Sequence, residues 1–230
     1  MKFYRIQFFV LLFFGFLTKS FSQYIQVDDT YTAQQLVQNV LVNSPCATVS
    51  NFSVSGDTYS PGANSFGYFT AGTSSFPFAD GIVLSTSSAK RTEGPNNNLI
   101  DEGLEDWQGD DNLEQVIGIS DTYNATILEF DFVPLTSTIS FDYLFASEEY
   151  QGTAPCKYSD AFAFLLREAN TTNPYQNLAI IPNTNLPVLV TNVHPFIPDI
   201  QGQPIKYSCK AKNEAYFDTY NSSSAPINLN

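Results

Sequence analysis

The sequence predicts an all-β protein: an antiparallel, jelly-roll-like β-sandwich with one short amphipathic helix near its N-terminus. After Cys46, apolar and polar residues alternate with period two, and Gly, Pro, Asn and Ser interrupt the alternation at short intervals. Many short strands joined by turns favour a sandwich over alternating strand and helix units. The 20 Phe and 13 Tyr residues can fill a sizeable core.

The strand pattern recurs in segments 47–54, 65–70, 81–85, 126–133, 138–145, 160–166, 177–181 and 188–193. The stretch 90–124 between the third and fourth segments is long, polar and acidic. Loops of this length in a compact domain are usually functional or mobile.

The predicted helix begins at Thr32, which has the Thr-x-x-Gln spacing of a capping box with Gln35. Apolar residues follow at helical intervals: Ala33, Leu36, Val37, Val40 and Leu41. Asn43-Ser44-Pro45 ends the pattern. We expect this helix to cover one end of the sheet core.

Segments 126–133 and 138–145 are separated by four residues and predict a β-hairpin. The apolar and aromatic side chains share the inner faces: Leu128, Phe130, Phe132, Ile139, Phe141, Tyr143 and Phe145. Glu129, Asp131 and Asp142 take outward positions. Carboxylates on adjoining strands repel each other unless they are solvated or neutralised.

Residues 1–22 have the features of a secretory signal peptide. Lys2 and Arg5 precede the apolar run 8–17, and small residues follow at positions 20 and 22. A membrane anchor is the weaker alternative, because a ten-residue helix reaches only about half of a roughly 30 Å hydrocarbon core. Cleavage after residue 22 would leave an exported chain without a membrane-spanning stretch.

The charge of the chain excludes nucleic acid as an expected partner. Loss of the three basic residues in the signal segment would change the formal charge from −13 to −16. Nucleic-acid binding depends on clustered Lys and Arg, which this sequence lacks. An acidic surface suits solubility and divalent cations instead.

The three cysteines are Cys46, Cys156 and Cys209, an odd number in a compartment where disulfides persist. Cys156 and Cys209 each lie beside a lysine and a tyrosine in a polar stretch. We predict that these two form a disulfide. Cys46 then stays reduced or pairs with a cysteine beyond residue 230.

A calcium site is predicted where the second strand of the hairpin ends. Glu148 and Glu149 enter the loop there, and Asp160 opens the next strand segment. Asp131 and Asp142 on the neighbouring strands are further candidate ligands. Calcium takes six to eight oxygen ligands, which such loops supply. The alternative is an acidic loop edge whose carboxylates accept hydrogen bonds from backbone amides or water.

Trp107, the single tryptophan, lies in a second acidic cluster with Asp106, Asp110 and Asp111. Exposed beside these loops, its indole would form a carbohydrate-binding platform. Folded back, it would pack on the edge of the sandwich. The cluster lacks the ligand spacing and central glycine of an EF-hand loop.

No catalytic motif is apparent. A glycosidase needs two carboxyl groups at a defined separation, and nothing singles out such a pair among the many acids. His194 is the only histidine and has no nucleophile motif nearby, and the sequence contains no Gly-x-Ser-x-Gly, HExxH or P-loop pattern. We expect His194 to be structural and the protein not to be an enzyme.

Several runs closely resemble the choice-of-anchor L domain family. They are VSGDTYSPGANSFGYFTAGTSSFPFADGIVLSTSSA (54–89), TILEFDFVP (126–134) and FDYLFASEEY with SDAFAFLL (141–166). The resemblance extends over nearly all of the chain after residue 31. It implies a β-sandwich module of an exported bacterial surface protein, with no established enzymatic activity and no defined ligand site.

The expected function is therefore that of a non-catalytic cell-surface module, structural or adhesive, which calcium would stabilise. The alternative is a carbohydrate-binding or carbohydrate-cleaving extracellular domain. The partner of this exported protein would be a surface glycan or another protein. We expect residues 23–230 to form one domain whose closing strands lie beyond residue 230. The resemblance to proteins of gliding Bacteroidota implies a type IX secretion sorting tail there as well.

Overall fold

The computed structural model describes residues 24–43, 45–59, 63–74, 76–94, 106–199 and 208–219. The predicted signal peptide, 1–22, lies outside these residues. The described part consists mostly of strands in antiparallel sheets with a few short helices, as predicted.

The largest described sheet has three strands in the order β1-β5-β6. These are β1 (Gln26–Asp28), β5 (Phe66–Thr70) and β6 (Asp80–Leu84). One side of this sheet packs on a buried cluster: Ile25, Val27, Phe69 and Ala89. A 3-10 turn, Ala89–Glu93, lies against β1. This sheet confirms the strands predicted at 65–70 and 81–85.

The predicted helix is confirmed as α1 (Ala33–Gln35), which continues as a π-helical turn, Leu36–Leu41. Thr32 and Gln35 form the complete capping box. Leu36 and Val37 are fully buried, and the π-helical turn contacts β5 and β6. The helix therefore covers the sheet core as expected.

The hairpin predicted between 126–133 and 138–145 is wrong. Strand β7 (Ile127–Pro134) forms as expected but pairs with β2 (Ala47–Ser55). Segment 138–145 is not a strand in the described structure. A bulge interrupts the β2–β7 register between Ser50 and Ser53, where Asn51 has a φ of 54°.

Two aromatic residues of segment 138–145 that were predicted to face inward pack against other rings, although the segment does not pair as a strand. Phe141 packs on Phe164 with ring centroids 4.1 Å apart, and Tyr143 packs on Phe162 at 5.0 Å. Ile139 and Tyr143, both predicted to face inward, are 49% and 40% exposed. Aromatic contacts rather than ladder hydrogen bonds hold this segment to the rest of the molecule.

The strand predicted at 160–166 divides into β8 (Ala161–Phe162) and β9 (Leu165–Leu166) because its halves have different partners. β8 pairs with β11 (Val188–Leu189), and β9 pairs with β10 (Gln176–Asn177). The strands predicted at 177–181 and 188–193 are correspondingly shorter. A second buried cluster lies here: Ala179, Ile181, Val188 and Val193.

The described fold also contains two short strands, a second helix and three more 3-10 turns: Ala154–Cys156, Val190–Asn192 and Glu214–Tyr216. Strands β3 (Thr58–Tyr59) and β4 (Ala63–Asn64) pair with each other. Helix α2 (Asp111–Ile117) lies within the stretch predicted as a long loop. It begins at the capping residue Asp110 and ends at Gly118, which is in the left-handed conformation.

Candidate functional site

The loop after segment 138–145 contains Glu148 and Glu149 and is called the acidic loop. Both residues lie near Asp160, so three of the predicted calcium ligands are neighbours. The Ser147 hydroxyl donates a hydrogen bond to Asp160 Oδ2 across 2.6 Å and accepts one from the Glu149 amide at 3.1 Å. Ser147 is 4% exposed. A buried hydroxyl thus links the acidic loop to the residue that precedes β8.

Two carboxyl groups of this region, those of Asp160 and Glu149, have raised pKa values. Burial raises the pKa of Asp160, and the hydrogen bond from Ser147 opposes that rise. The pKa of Glu149 is also raised, first by burial and then by the negative charges of Asp160 and Glu148. The carboxylates would therefore gain from a nearby cation or from protonation.

Tyr150 anchors the loop to the second buried cluster. Its hydroxyl donates to the Val193 carbonyl at 2.9 Å in a buried position, and its ring packs 5.2 Å from that of Phe217. Burial, together with the charge of Asp160, raises the pKa of Tyr150 to about 12. Tyr150 therefore remains a neutral donor at ordinary pH.

The predicted disulfide between Cys156 and Cys209 is confirmed, with Cα atoms 5.6 Å apart. It joins the acidic loop region to segment 208–219. That segment also forms backbone bridges to the region after β11, since Cys209 pairs with Ile197 and Lys212 with His194. Cys46, at the start of β2, lies outside this disulfide.

His194 is 1% exposed and lies beside the disulfide. Its Nδ1 is 2.9 Å from the Pro195 carbonyl oxygen, and its ring nitrogens are 3.8 and 3.9 Å from Cys209 Sγ. This buried position fits the structural role expected from the sequence.

Asp131 and Asp142, the other two predicted calcium ligands, are not part of the contact between Ser147 and Asp160. Asp131 accepts a hydrogen bond from Asn51 across the β2–β7 pair at 2.6 Å, and Asp142 is exposed in segment 138–145. Within the described ranges, no group of three or more His, Cys, Asp or Glu side chains is arranged to hold a metal ion. Glu148, Glu149 and Asp160 are thus neighbours without a complete set of ligands.

Trp107 is 9% exposed, and its indole N–H donates to the Ala125 carbonyl at 2.9 Å. Asp110 Oδ1 accepts from the Leu113 amide at 2.6 Å as the N-cap of α2. Asp111 lies in the first turn of that helix. This geometry matches the alternative in which the indole folds back onto the protein, and the two aspartates stabilise the helix end.

A cleft that sequence reasoning missed lies along β1. It has a volume of about 580 Å³, and three tyrosines contribute to its lining: Tyr24, Tyr31 and Tyr68. No motif marks these residues, because Tyr68 is far along the chain from the other two. Only the pairing of β1 with β5 brings them together.

The sequence model of the choice-of-anchor L domain matches residues 25–230, and the match includes the acidic loop, the disulfide and the whole lining of the cleft except Tyr24. The chain belongs to the choice-of-anchor L domain family. No curated protein and no solved structure matches the chain. The family indicates a module of exported, surface-associated proteins. Among the described helices of this choice-of-anchor L domain, none is long and apolar enough to cross a bilayer.

Proposed function

We propose that this choice-of-anchor L domain is a non-catalytic module of an exported surface protein, with a structural or adhesive role. The observation that carries the proposal is the family match, which extends over residues 25–230. A structural module of this kind needs a stable scaffold with surfaces for contact and no reaction centre.

Export is supported by the disulfide and by the charge. The Cys156–Cys209 disulfide is a bond that persists in oxidising compartments outside the cytoplasm. Residues 1–22 carry the basic and apolar pattern of a signal peptide. The net charge of −13 suits a soluble protein at a cell surface and disfavours nucleic acid.

A non-catalytic role is supported by how the most reactive side chains are used. His194 is buried against the disulfide. Asp160 accepts the Ser147 hydroxyl, and Asp110 caps a helix. Each of these groups has a structural contact that accounts for its position.

Calcium stabilisation is a further part of the proposal. It is supported by the raised pKa values of Asp160 and Glu149, since a divalent cation would offset the partial burial of both carboxylates and the repulsion that Asp160 and Glu148 exert on Glu149. Thermal melts with calcium and with EDTA test it. A higher melting temperature in calcium that disappears in Glu149→Gln supports the site, whereas identical melts exclude it.

We also propose that the sheets pack as a jelly-roll-like sandwich.

Deletion of residues 1–22 tests export. The shortened protein should remain in the cytoplasm of its host cell with Cys156 and Cys209 reduced, because the cytoplasm keeps thiols reduced. An unrelated, established signal peptide placed before residue 23 should restore both export and the disulfide. Export of the shortened protein would contradict the proposal.

A further inference from the structure

The cleft along β1 has the size of a ligand site and is lined by aromatic and polar side chains. Its volume of about 580 Å³ falls within the roughly 300–1,000 Å³ typical of binding pockets. We propose that it binds a neutral carbohydrate chain. This inference deepens the proposed adhesive function, on which its biological meaning rests, by naming a site and a class of partner.

The β1–β5 register separates the cleft side of the sheet from the core side. Gln26 lies opposite Thr70 and Asp28 opposite Tyr68, while Val27 lies opposite Phe69. Because side chains alternate along a strand, Val27 and Phe69 enter the buried cluster. The alternate residues place their side chains on the cleft side: Gln26, Asp28, Tyr68 and Thr70. Ile25 and Val27 of the buried cluster also contribute to the cleft lining.

A pair of stacked tyrosines forms one wall of the cleft. The rings of Tyr31 and Tyr68 are 5.0 Å apart and inclined by 18°, and both side chains are half-buried. Stacking fixes the two rings, so little conformational entropy is lost when a ligand packs against them. An aromatic face of this kind suits the C–H side of a sugar ring, and the phenolic hydroxyls suit its hydroxyl groups.

Lys90 and Glu93 close the outer edge of β1. Glu93 Oε1 accepts the Val27 amide at 2.7 Å, and Lys90 Nζ donates to the Val27 carbonyl. The two side chains also form an ion pair at 3.3 Å. The backbone groups that a peptide strand would use are therefore occupied, which disfavours strand addition at this edge.

The charges around the cleft favour a neutral ligand. Asp28 and Glu93 supply two carboxylates against the single ammonium of Lys90, and the chain as a whole carries −13. A polyanionic glycan would meet net repulsion. Hydroxyl-rich neutral chains can instead exchange hydrogen bonds with the acids, the ammonium and the side chains of Gln26 and Thr70.

Affinity electrophoresis of the purified protein tests the site. The gels contain one soluble neutral polysaccharide each, namely a glucan, a mannan, a xylan or a galactan, and a parallel set contains anionic pectate and alginate. We expect retardation by at least one neutral polysaccharide and by neither anionic one. Retardation by the anionic polymers alone, or by none, overturns the assignment.

Two substitutions connect the binding to the cleft. Tyr31→Ala should weaken it at least tenfold, whereas Tyr31→Phe, which keeps the ring, should retain it within about threefold. Tyr123→Ala is the matched control, because Tyr123 is a 66% exposed tyrosine that does not line the cleft. Equal retardation of wild type and Tyr31→Ala would contradict the proposal.

A second variant covers the case in which Tyr31→Ala does not fold, as judged by circular dichroism. Gln26 is exposed and lines the cleft, so Gln26→Arg places bulk in it without disturbing the core. It should abolish retardation, and unchanged retardation would contradict the site. Since these measurements use purified protein, a failure of sugar binding is distinct from a failure of export.

Discussion

Ser147 donates a hydrogen bond from its hydroxyl group to Asp160 Oδ2 across 2.6 Å, and this bond joins the acidic loop to the residue that precedes β8. The hydrogen bond stabilises the charged form of Asp160 against the effect of burial. This contact makes a buried carboxylate tolerable in a loop that already contains Glu148 and Glu149.

The acidic loop predicts a specific pH dependence. The folded-state pKa values of Asp160 and Glu149 are raised, so folding favours their protonated forms. Their stabilising contribution is complete below the unfolded pKa and is lost as the pH rises through the folded pKa. The Glu149→Gln/Asp160→Asn variant should therefore lose less stability than wild type as the pH rises above about 4, the pKa of an unfolded carboxyl group.

Chemical denaturation at a series of pH values measures this difference. Asp142→Asn is the matched control because Asp142 is an exposed carboxylate outside the Ser147 contact. The free energy of unfolding of Asp142→Asn should change with pH in the same way as that of wild type. Parallel curves for wild type and the double variant would contradict the assigned role of burial and repulsion.

The disulfide should provide a large share of the stability. A cross-link between residues 53 positions apart restricts the unfolded chain and typically contributes about 2–4 kcal/mol. Cys156→Ala/Cys209→Ala should lower the free energy of unfolding by that amount. Reductant should destabilise wild type equally and leave the double variant unchanged, while Cys46→Ala should keep the sensitivity to reductant. Insensitivity of wild type to reductant would contradict the account.

Trp107 gives a direct optical test of its buried position, since it is the only tryptophan. Its emission should be blue-shifted and weakly quenched by acrylamide, because the indole is 9% exposed and donates to Ala125. The urea-unfolded chain provides the reference for an accessible indole. Emission and quenching equal to those of the unfolded chain would restore the exposed-platform alternative.

The sequence predicted most strand positions but not their partners. Alternation in 126–133 and 138–145 indicated two strands, and the short connection between them favoured a hairpin. In the structure β7 pairs with β2 from much earlier in the chain, and 138–145 packs through Phe141 and Tyr143 instead. Alternation reports which face a residue occupies, whereas pairing depends on contacts distant in sequence.

For the candidate sites, too, the sequence predicted features that depend on neighbouring residues and missed a feature that depends on contacts distant in the chain. The local composition around Cys156 and Cys209 was enough to predict their disulfide, and the SEEY run located the acidic loop. The cleft could not be found this way, because Tyr31 and Tyr68 become neighbours only through the β1–β5 register. The role of Asp110 as a helix cap was missed because its acidic neighbours suggested a ligand site.

Surface display is the central claim, and protease accessibility on intact cells tests it most directly. Proteinase K added to intact host cells should degrade this chain while a cytoplasmic marker protein survives. Lysed cells provide the control in which both proteins are degraded. Survival of the chain in intact cells, with degradation only after lysis, would contradict placement at the cell surface.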